Sequence, residues 1–143
     1  MKYAFDLDGT LDRPGVAELC RSLLERGDEV HAITGVFDES GDWQSDVFKA
    51  QKLSRQRIPF TRAPEDWYKI DLLLKTMAKH TAMLHVLHAV PETYSREYRL
   101  ADLGLRKGAL CEFLGVGMLF DDSPTYCEMA PRMHGNLIVM HVR

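Results

Sequence analysis

The sequence predicts a single α/β domain over residues 1–143, with a parallel sheet between two layers of helices. Short apolar runs typical of buried strands alternate along the chain with runs whose apolar residues recur every three or four positions, as in amphipathic helices. Proline and glycine separate most of these runs. A hydrophobic fraction of 45% and a charged fraction of 27% are ordinary for a globular domain with its own core.

The predicted strands are five short apolar runs bounded by turn residues. The first leads into a tight loop at Gly9, the second is halted at Gly35, and the third is ended by Pro91. Strands that alternate with helices favour a parallel sheet, and ligands then bind at the carboxyl ends of the strands. The five predicted strands cover residues 2–7, 29–34, 83–90, 116–120 and 136–142.

The predicted helices are four segments with apolar residues spaced by three and four. Pro14 precedes the first helix, and Gly27 stands where that helix should stop. Pro59 closes the second helix, and Gly115 follows the fourth. Cys127 is also expected to pack on a helix. The four predicted helices cover residues 16–26, 40–57, 64–80 and 107–114.

Composition and charge exclude several classes of protein. No apolar run approaches the roughly 20 residues that a membrane span needs, and motif-like sequence within a few residues of Met1 argues against a secretory signal. The three cysteines are scattered and odd in number, which indicates reduced thiols in a cytoplasmic setting. A net charge of −3 does not suit a protein that coats nucleic acid.

Residues 49–62 differ from the overall negative charge of the chain, because they carry five basic side chains and no acidic one. The first interpretation is a solvated helix face, since charge on exposed helix surfaces is common. The alternative is an anion-attracting rim for a substrate larger than a simple phosphate ester.

Two of the predicted strands end in pairs of carboxylates. Asp6 and Asp8 lie at the end of the first strand, and Asp121 and Asp122 follow the fourth. If these strands are neighbours in a parallel sheet, four carboxylates meet at one edge and repel one another. A hard divalent cation removes that conflict, and Mg²⁺ takes one or two carboxylates together with water and phosphate oxygens. The sequence therefore predicts a magnesium site at this edge.

The spacing of Asp6 and Asp8 suits covalent phosphate chemistry. Side chains alternate along a strand, so the two carboxylates point to the same face. Asp6 can attack phosphorus as a nucleophile, while Asp8 protonates the leaving oxygen and later deprotonates the hydrolytic water. Gly9 allows the tight turn that the backbone needs near the phosphate.

Phosphate-binding groups are expected at two further positions. A phosphoryl group in transfer needs positive charge and hydrogen bonds on its equatorial oxygens. Thr34, at the end of the second predicted strand, can supply a hydroxyl, and Lys107, just before the fourth predicted helix, can supply an ammonium. Arg106 and Lys69 stay open as alternatives to Lys107.

These motifs resemble, in the same order, the four motifs of the haloacid dehalogenase superfamily. The D-x-D-G-T of residues 6–10 is similar to the first motif, Thr34-Gly35 to the second, Lys107 to the third and Asp121-Asp122 to the fourth. The resemblance spans essentially the whole chain. It implies a Rossmann-like sheet of strand order 5-4-1-2-3 and a Mg²⁺-dependent phosphomonoester hydrolase that forms a phospho-aspartate.

The resemblance also implies roles for individual residues. Asp6 would be the nucleophile, and Asp8 the general acid and base. The metal ligands that it implies are Asp6, the main-chain oxygen of Asp8, Asp121 and Asp122. The phosphate-binding residues that it implies are Thr34, Gly35 and Lys107.

Many members of this superfamily carry a cap domain over the site, but this chain has little room for one. Asp12 leads almost directly into the first helix, and only residues 91–105 lie between the third strand and the Lys107 motif. An uncapped site needs another way to exclude water. Either a bulky substrate such as a nucleotide or a nucleic-acid end, or a neighbouring subunit of a homo-oligomer, would cover it.

Other functions for the same fold remain as alternatives. A binding or regulatory protein could keep the fold and lose the chemistry, and a small-metabolite phosphatase could have its site covered by a neighbouring subunit. Cys127 followed by Arg132 lacks the glycine-rich cradle of a cysteine phosphatase. His80, His85 and His88 are expected to be satisfied or exposed, because residues three apart on a strand face opposite ways.

Overall fold

The structure is a computed structural model, and the residues that it describes fall in three stretches: 1–11, 13–36 and 83–143. Within these stretches a few side chains are not described, and that of Asp8 is one of them. Several predictions concern residues that are not described. These are the predicted helices 40–57 and 64–80, the basic stretch 49–62, Lys69 and His80.

Within the three described stretches, five strands form one sheet in which every neighbouring pair is parallel. They are β1 (Lys2–Phe5), β2 (Glu29–Val36), β3 (Met83–His88), β4 (Met118–Asp121) and β5 (Ile138–His141). Their order across the sheet is β3-β2-β1-β4-β5, which confirms the predicted order. All five carboxyl ends lie at one edge, hereafter the carboxyl edge, and β1 is central with β2 and β4 as its neighbours.

Three helices and one π-helical turn connect the described strands. They are the turn Leu7–Leu11, α1 (Pro14–Glu25), α2 (Arg96–Leu114) and α3 (Pro124–Met133). The connections from β1 to α1 and from β3 to α2 are short, and neither holds a domain. None of the helices in the described stretches has the length and apolar composition of a membrane span.

The sheet separates two hydrophobic cores, as the prediction of helices on both faces requires. On one face, α1 packs against Phe5 and Phe120, whose stacked rings have centroids 4.5 Å apart. On the other face, α2 and α3 pack against Ala4 and Leu119. Adjacent residues of each strand therefore serve opposite cores, because side chains alternate along a strand.

The predicted start of the fourth helix is wrong, because α2 begins at Arg96 and not near Lys107. The Ser95 side chain caps this start by accepting a hydrogen bond from the Tyr98 amide at 3.2 Å. Gly104 lies inside the helix, where a glycine ordinarily indicates a break. A Cβ atom at Gly104 would lie 2.8 Å from Met129 Cβ of α3, so close packing outweighs helix propensity here.

The predicted end of the second strand is also wrong. β2 continues through Gly35 to Val36, and Gly35 pairs in register with Leu87 of β3. Pairing with a partner strand therefore outweighs the tendency of glycine to end a strand. The expectation for Cys127 is confirmed, since this residue lies in α3.

The close packing of α2 on α3 gives a test of the fold. A Cβ atom at Gly108 would lie 2.8 Å from the carbonyl carbon of Ala130, and backbone cannot move aside cheaply. We expect Gly108→Ala to lower the free energy of unfolding by about 1–3 kcal/mol in urea denaturation.

The matched control for this substitution is Gly15→Ala in α1, where a Cβ atom would meet nothing within 4 Å. That change should be neutral or stabilising by up to about 1 kcal/mol, because alanine is the better helix former. Equal stabilities of the two variants would contradict the packing described here.

Candidate active site

A buried lysine joins three elements at the carboxyl edge. Lys107 of α2 is 0% exposed, and its Nζ donates hydrogen bonds to Asp6 Oδ1 at 3.0 Å and to Asp121 Oδ2 at 2.6 Å. Asp6 follows β1, and Asp121 is the last residue of β4. Both carboxylates are themselves buried. The pairing therefore ties α2 to the two central strands.

The two carboxylates keep the lysine charged. Burial alone would lower the pKa of Lys107, but the charges of Asp6 and Asp121 and their hydrogen bonds raise that pKa above its ordinary value. The contribution of this ion pair to stability is complete below the ordinary pKa of lysine and is lost only as the pH rises through the raised one. A cation is thus fixed beside Asp6 throughout the neutral range.

Asp121 has both carboxylate oxygens engaged by donors. Oδ2 accepts from Lys107, and Oδ1 accepts from the main-chain amide of Ser123 at 2.9 Å. This second bond belongs to the start of α3, where the Ser123 side chain accepts from the amide of Tyr126. The geometry suits Asp121 to orienting Lys107.

The turn after β1 is shaped to fit Asp122. The Thr10 hydroxyl donates to Asp122 Oδ1 at 3.3 Å, and Thr10 is fully buried. Gly9 has a φ of 73°, in the region that favours glycine. A Cβ atom at Gly9 would lie 2.7 Å from Asp122 Cγ, which leaves no room for a side chain. Gly9 thus leaves room for the Asp122 side chain, and Thr10 donates a hydrogen bond to it.

Three carboxylates at this point fit a hard divalent cation. Asp6, Asp121 and Asp122 each offer an oxygen, and these oxygens lie within 4.8 Å of one another. An all-oxygen donor set of this kind suits Mg²⁺. Because Asp121 is occupied by Lys107 and Ser123, Asp6 and Asp122 are the better candidates for direct ligands. Asp8 lies in the same turn, but its side chain falls outside the described part of the chain.

The predicted phosphate-binding residues Thr34 and Gly35 lie near the carboxyl end of β2. Thr34 is 1% exposed, and alternation along β2 assigns it to the same face as Ala32, the α1 face. Among the described residues, no hydrogen bond joins Thr34 to the carboxylate cluster. Gly35 is on the opposite face, where a Cβ atom would lie 3.0 Å from Tyr126 Oη.

The alternative cation Arg106 turns away from the site. Its Nε donates to Asp102 Oδ2 at 3.0 Å, one helical turn earlier, and its side chain is 40% exposed. Lys107 meets Asp6 and Asp121, whereas Arg106 pairs on the surface. The third candidate, Lys69, lies outside the described residues.

Sequence reasoning missed Tyr126. Its ring lies against Lys107, with Nζ 4.5 Å from the ring centroid, and the side chain is 7% exposed. The signal was present, because Ser123 followed by Pro124 is typical of a helix start. A helix predicted from that signal would have placed Tyr126 in its first turn, close to Asp121 and Asp122. Pro131 inside α3 obscured the pattern, since proline ordinarily breaks a helix.

The two rival sites do not gain support from the geometry. The Cys127 thiol donates to the Asp121 carbonyl at 3.4 Å, and burial raises its pKa to about 11, which disfavours a thiolate nucleophile. His85 Nε2 lies 3.0 Å from His31 Nδ1, and His31 Nε2 lies 2.8 Å from Glu29. His85 is thus satisfied, as expected, whereas the side chain of His88 lies outside the described part of the chain.

Comparison with known proteins supports the fold alone. No protein-family model matches the sequence, and no curated protein matches it. Among solved structures, the A40926 pseudoaglycone deacetylase Dbv21 is 11% identical at a TM-score of 0.50, over 96% of this chain and 61% of that chain. A protein from the universal stress protein family of Burkholderia pseudomallei is 13% identical at a TM-score of 0.47, over 99% of this chain and 94% of that one. The hexameric APS kinase from Thiobacillus denitrificans is 12% identical at a TM-score of 0.40, over 99% of this chain and 24% of that one.

Removal of the buried ammonium is a direct test of this cluster. In Lys107→Met, Asp6 and Asp121 would remain buried side by side without their counter-charge. We expect the free energy of unfolding at neutral pH to fall by about 3–5 kcal/mol, as when one partner of a buried ion pair is lost.

The matched control is Lys2→Met, since Lys2 Nζ also contacts a carboxylate, Glu29 Oε1, at 3.3 Å. That pair is largely exposed, and its loss should lower stability by less than about 1 kcal/mol. Urea denaturation of both variants would measure the difference. Similar losses in the two variants would refute the importance assigned to Lys107.

Proposed function

We propose that this chain is a Mg²⁺-dependent phosphomonoester hydrolase of the haloacid dehalogenase type. The observation that supports the proposal most is the convergence of Lys107, Asp6 and Asp121 at the carboxyl edge, with Asp122 beside them. These residues lie just after β1, in α2 and at the end of β4, where three of the four resembling motifs lie. Open sheets of this kind bind ligands at that edge.

In the first step, an Asp6 oxygen attacks the phosphorus of the substrate. The bond from phosphorus to the ester oxygen breaks, and Asp8 in its acid form protonates the leaving oxygen. The hydrogen bond from Lys107 fixes the orientation of the Asp6 carboxylate before attack. Mg²⁺ held by Asp6 and Asp122 would supply positive charge for the transferring phosphoryl group.

In the second step, water hydrolyses the phospho-aspartate. Asp8, now a carboxylate, accepts a proton from the water as its oxygen forms a bond to phosphorus. The acyl phosphate bond breaks, inorganic phosphate leaves, and both aspartates return to their starting states. Asp8 has alternated between acid and base, so protons balance over the cycle.

The substrate class that we propose is a nucleotide or the phosphorylated end of a nucleic acid. Tyr94 and Tyr98 form a stacked pair at the start of α2, with ring centroids 4.9 Å apart and exposures of 48% and 52%. Arg96 lies between them in sequence. Exposed aromatic rings suit stacking on a nucleobase, and an arginine close by in sequence suits the phosphate joined to it. A small metabolite, with the site covered by a neighbouring subunit, is the alternative.

We also propose a reducing, cytoplasmic setting for this activity. Cys20, Cys111 and Cys127 are all free thiols. Reduced cysteines in a chain without disulfides among its described residues are typical of that compartment.

The nucleophile is tested by Asp6→Asn, which keeps the size of the side chain but removes its nucleophilic oxygen. With p-nitrophenyl phosphate and Mg²⁺, we expect turnover to fall by at least about a thousandfold, since a covalent step is lost. Asp28→Asn is the control and should retain wild-type turnover, because this carboxylate pairs with Arg26 just before β2, at the opposite edge of the sheet. Activity of Asp6→Asn within tenfold of wild type would rule out the covalent mechanism.

The substrate class is tested by Tyr98→Ala, which removes one ring of the exposed pair. For a nucleoside monophosphate we expect kcat/KM to fall by about 5- to 30-fold, the usual effect of losing one stacking partner. Glycerol phosphate, which has no ring, should be unaffected.

The control for this variant is Phe113→Ala, at the opposite end of α2, where the ring is 86% exposed. That substitution should leave kcat/KM unchanged for both substrates. Equal effects of Tyr98→Ala on the nucleotide and on glycerol phosphate would argue for a small-metabolite phosphatase.

A further inference from the structure

The hydroxyl of Tyr126 is buried without a hydrogen-bond partner in the described part of the chain. Its side chain is 7% exposed, yet no described residue accepts from or donates to Oη. Buried hydroxyl groups nearly always have a partner, because leaving one unpaired is unfavourable. The hydroxyl of Tyr126 is therefore expected to have a partner other than the described residues.

The position of this hydroxyl is defined by β2 and α2. Oη lies 3.0 Å from the point where a Cβ atom of Gly35 would be, so any side chain at Gly35 would crowd it. The ring of the same tyrosine lies 4.5 Å below the Lys107 ammonium. Tyr126 Oη thus lies at the carboxyl edge, between the end of β2 and the cation that pairs with Asp6.

The surroundings of Tyr126 keep its hydroxyl protonated, so that it can act as a donor. Burial raises the pKa of Tyr126 to about 12; the charges of Asp6 and Asp121 raise this pKa further, and those of Lys107 and Arg96 lower it. The phenol is therefore protonated at neutral pH and can donate a hydrogen bond. A protonated hydroxyl whose ring lies against the Lys107 ammonium can donate to an oxygen of an anion bound at this edge.

We propose that the Tyr126 hydroxyl donates a hydrogen bond to a non-bridging oxygen of the substrate phosphate. Tyr126 then acts as a phosphate-binding residue, while its ring holds the Lys107 ammonium in place. Gly35 contributes by leaving the space that the hydroxyl occupies. The inference rests on the proposed function, because it takes the phosphate to be bound at the Asp6 cluster.

The test is Tyr126→Phe, which retains the ring and its contact with Lys107 but lacks the hydroxyl. Calorimetric titration with inorganic phosphate in the presence of Mg²⁺ should show a Kd about 10-fold higher than that of the wild type. KM for p-nitrophenyl phosphate should rise by a similar factor. The melting temperature of the ligand-free protein should be unchanged or higher, because an unpaired hydroxyl is removed.

Two further variants bear on this role. Gly35→Ala keeps the hydroxyl but adds a Cβ atom 3.0 Å from Oη and 3.2 Å from Leu103 Cδ1, and should also weaken phosphate binding. Tyr3→Phe removes a hydroxyl that instead accepts from Arg26 at 3.3 Å, and should leave phosphate binding unchanged.

The outcomes distinguish the inference from the proposed function. If the wild type binds no phosphate with Mg²⁺, the proposed function fails and the inference fails with it. If the wild type binds phosphate and Tyr126→Phe binds it equally well, only the inference is overturned. A lower melting temperature in Tyr126→Phe with unchanged phosphate affinity would also overturn it, since the hydroxyl would then serve the fold.

Discussion

The described structure depends on one interaction, the ammonium of Lys107 between Asp6 and Asp121. A lysine that is 0% exposed is tolerable only when it is paired, because removing its charge from water is strongly unfavourable. The pairing fixes the rotation of α2 about its axis and its height above the sheet. Close approach of α3 at Gly108 then follows, since α2 is held where a Cβ atom at that position would meet the backbone of Ala130. A helix position that propensity alone disfavours is thus set by charge and packing together.

The turn after β1 also positions the carboxylates through its own backbone. Its backbone is closed by a hydrogen bond from the Leu11 amide to the Asp6 carbonyl at 3.2 Å, and the Asp6 amide donates to Phe120 of β4 at 2.9 Å. Asp6 is therefore held by its main chain on one side and by Lys107 on the other. Gly9 lets the turn approach Asp122 closely. The residues that form the turn are the ones that position the carboxylates, so local structure and candidate chemistry cannot be varied separately.

Much of this arrangement could be predicted from the sequence, because the strands are apolar runs and carboxylates directly follow two of them. The meeting of Asp6 with Asp121 and Asp122 at one edge follows from that pattern once the two strands are neighbours, and the strand order itself is implied by the resemblance to the haloacid dehalogenase superfamily. What could not be predicted depends on contacts between distant segments. Gly104 looks like a break in α2 until α3 is known to pack beside it. The contact between the Tyr126 ring and the Lys107 ammonium likewise depends on where α2 and α3 meet.

The charges at the cluster also bear on the order in which ligands would bind. Three carboxylates and one ammonium carry a formal excess of two negative charges, which a divalent cation would neutralise. A phosphate monoester brings further negative charge to the same point and would be repelled by the uncompensated carboxylates. Under the proposed function, phosphate affinity should therefore depend on bound Mg²⁺. Lys107 alone would not attract the substrate, because its charge is already paired with Asp6 and Asp121. The buried lysine then acts chiefly by orienting the nucleophile, and the metal supplies the charge that admits the phosphate.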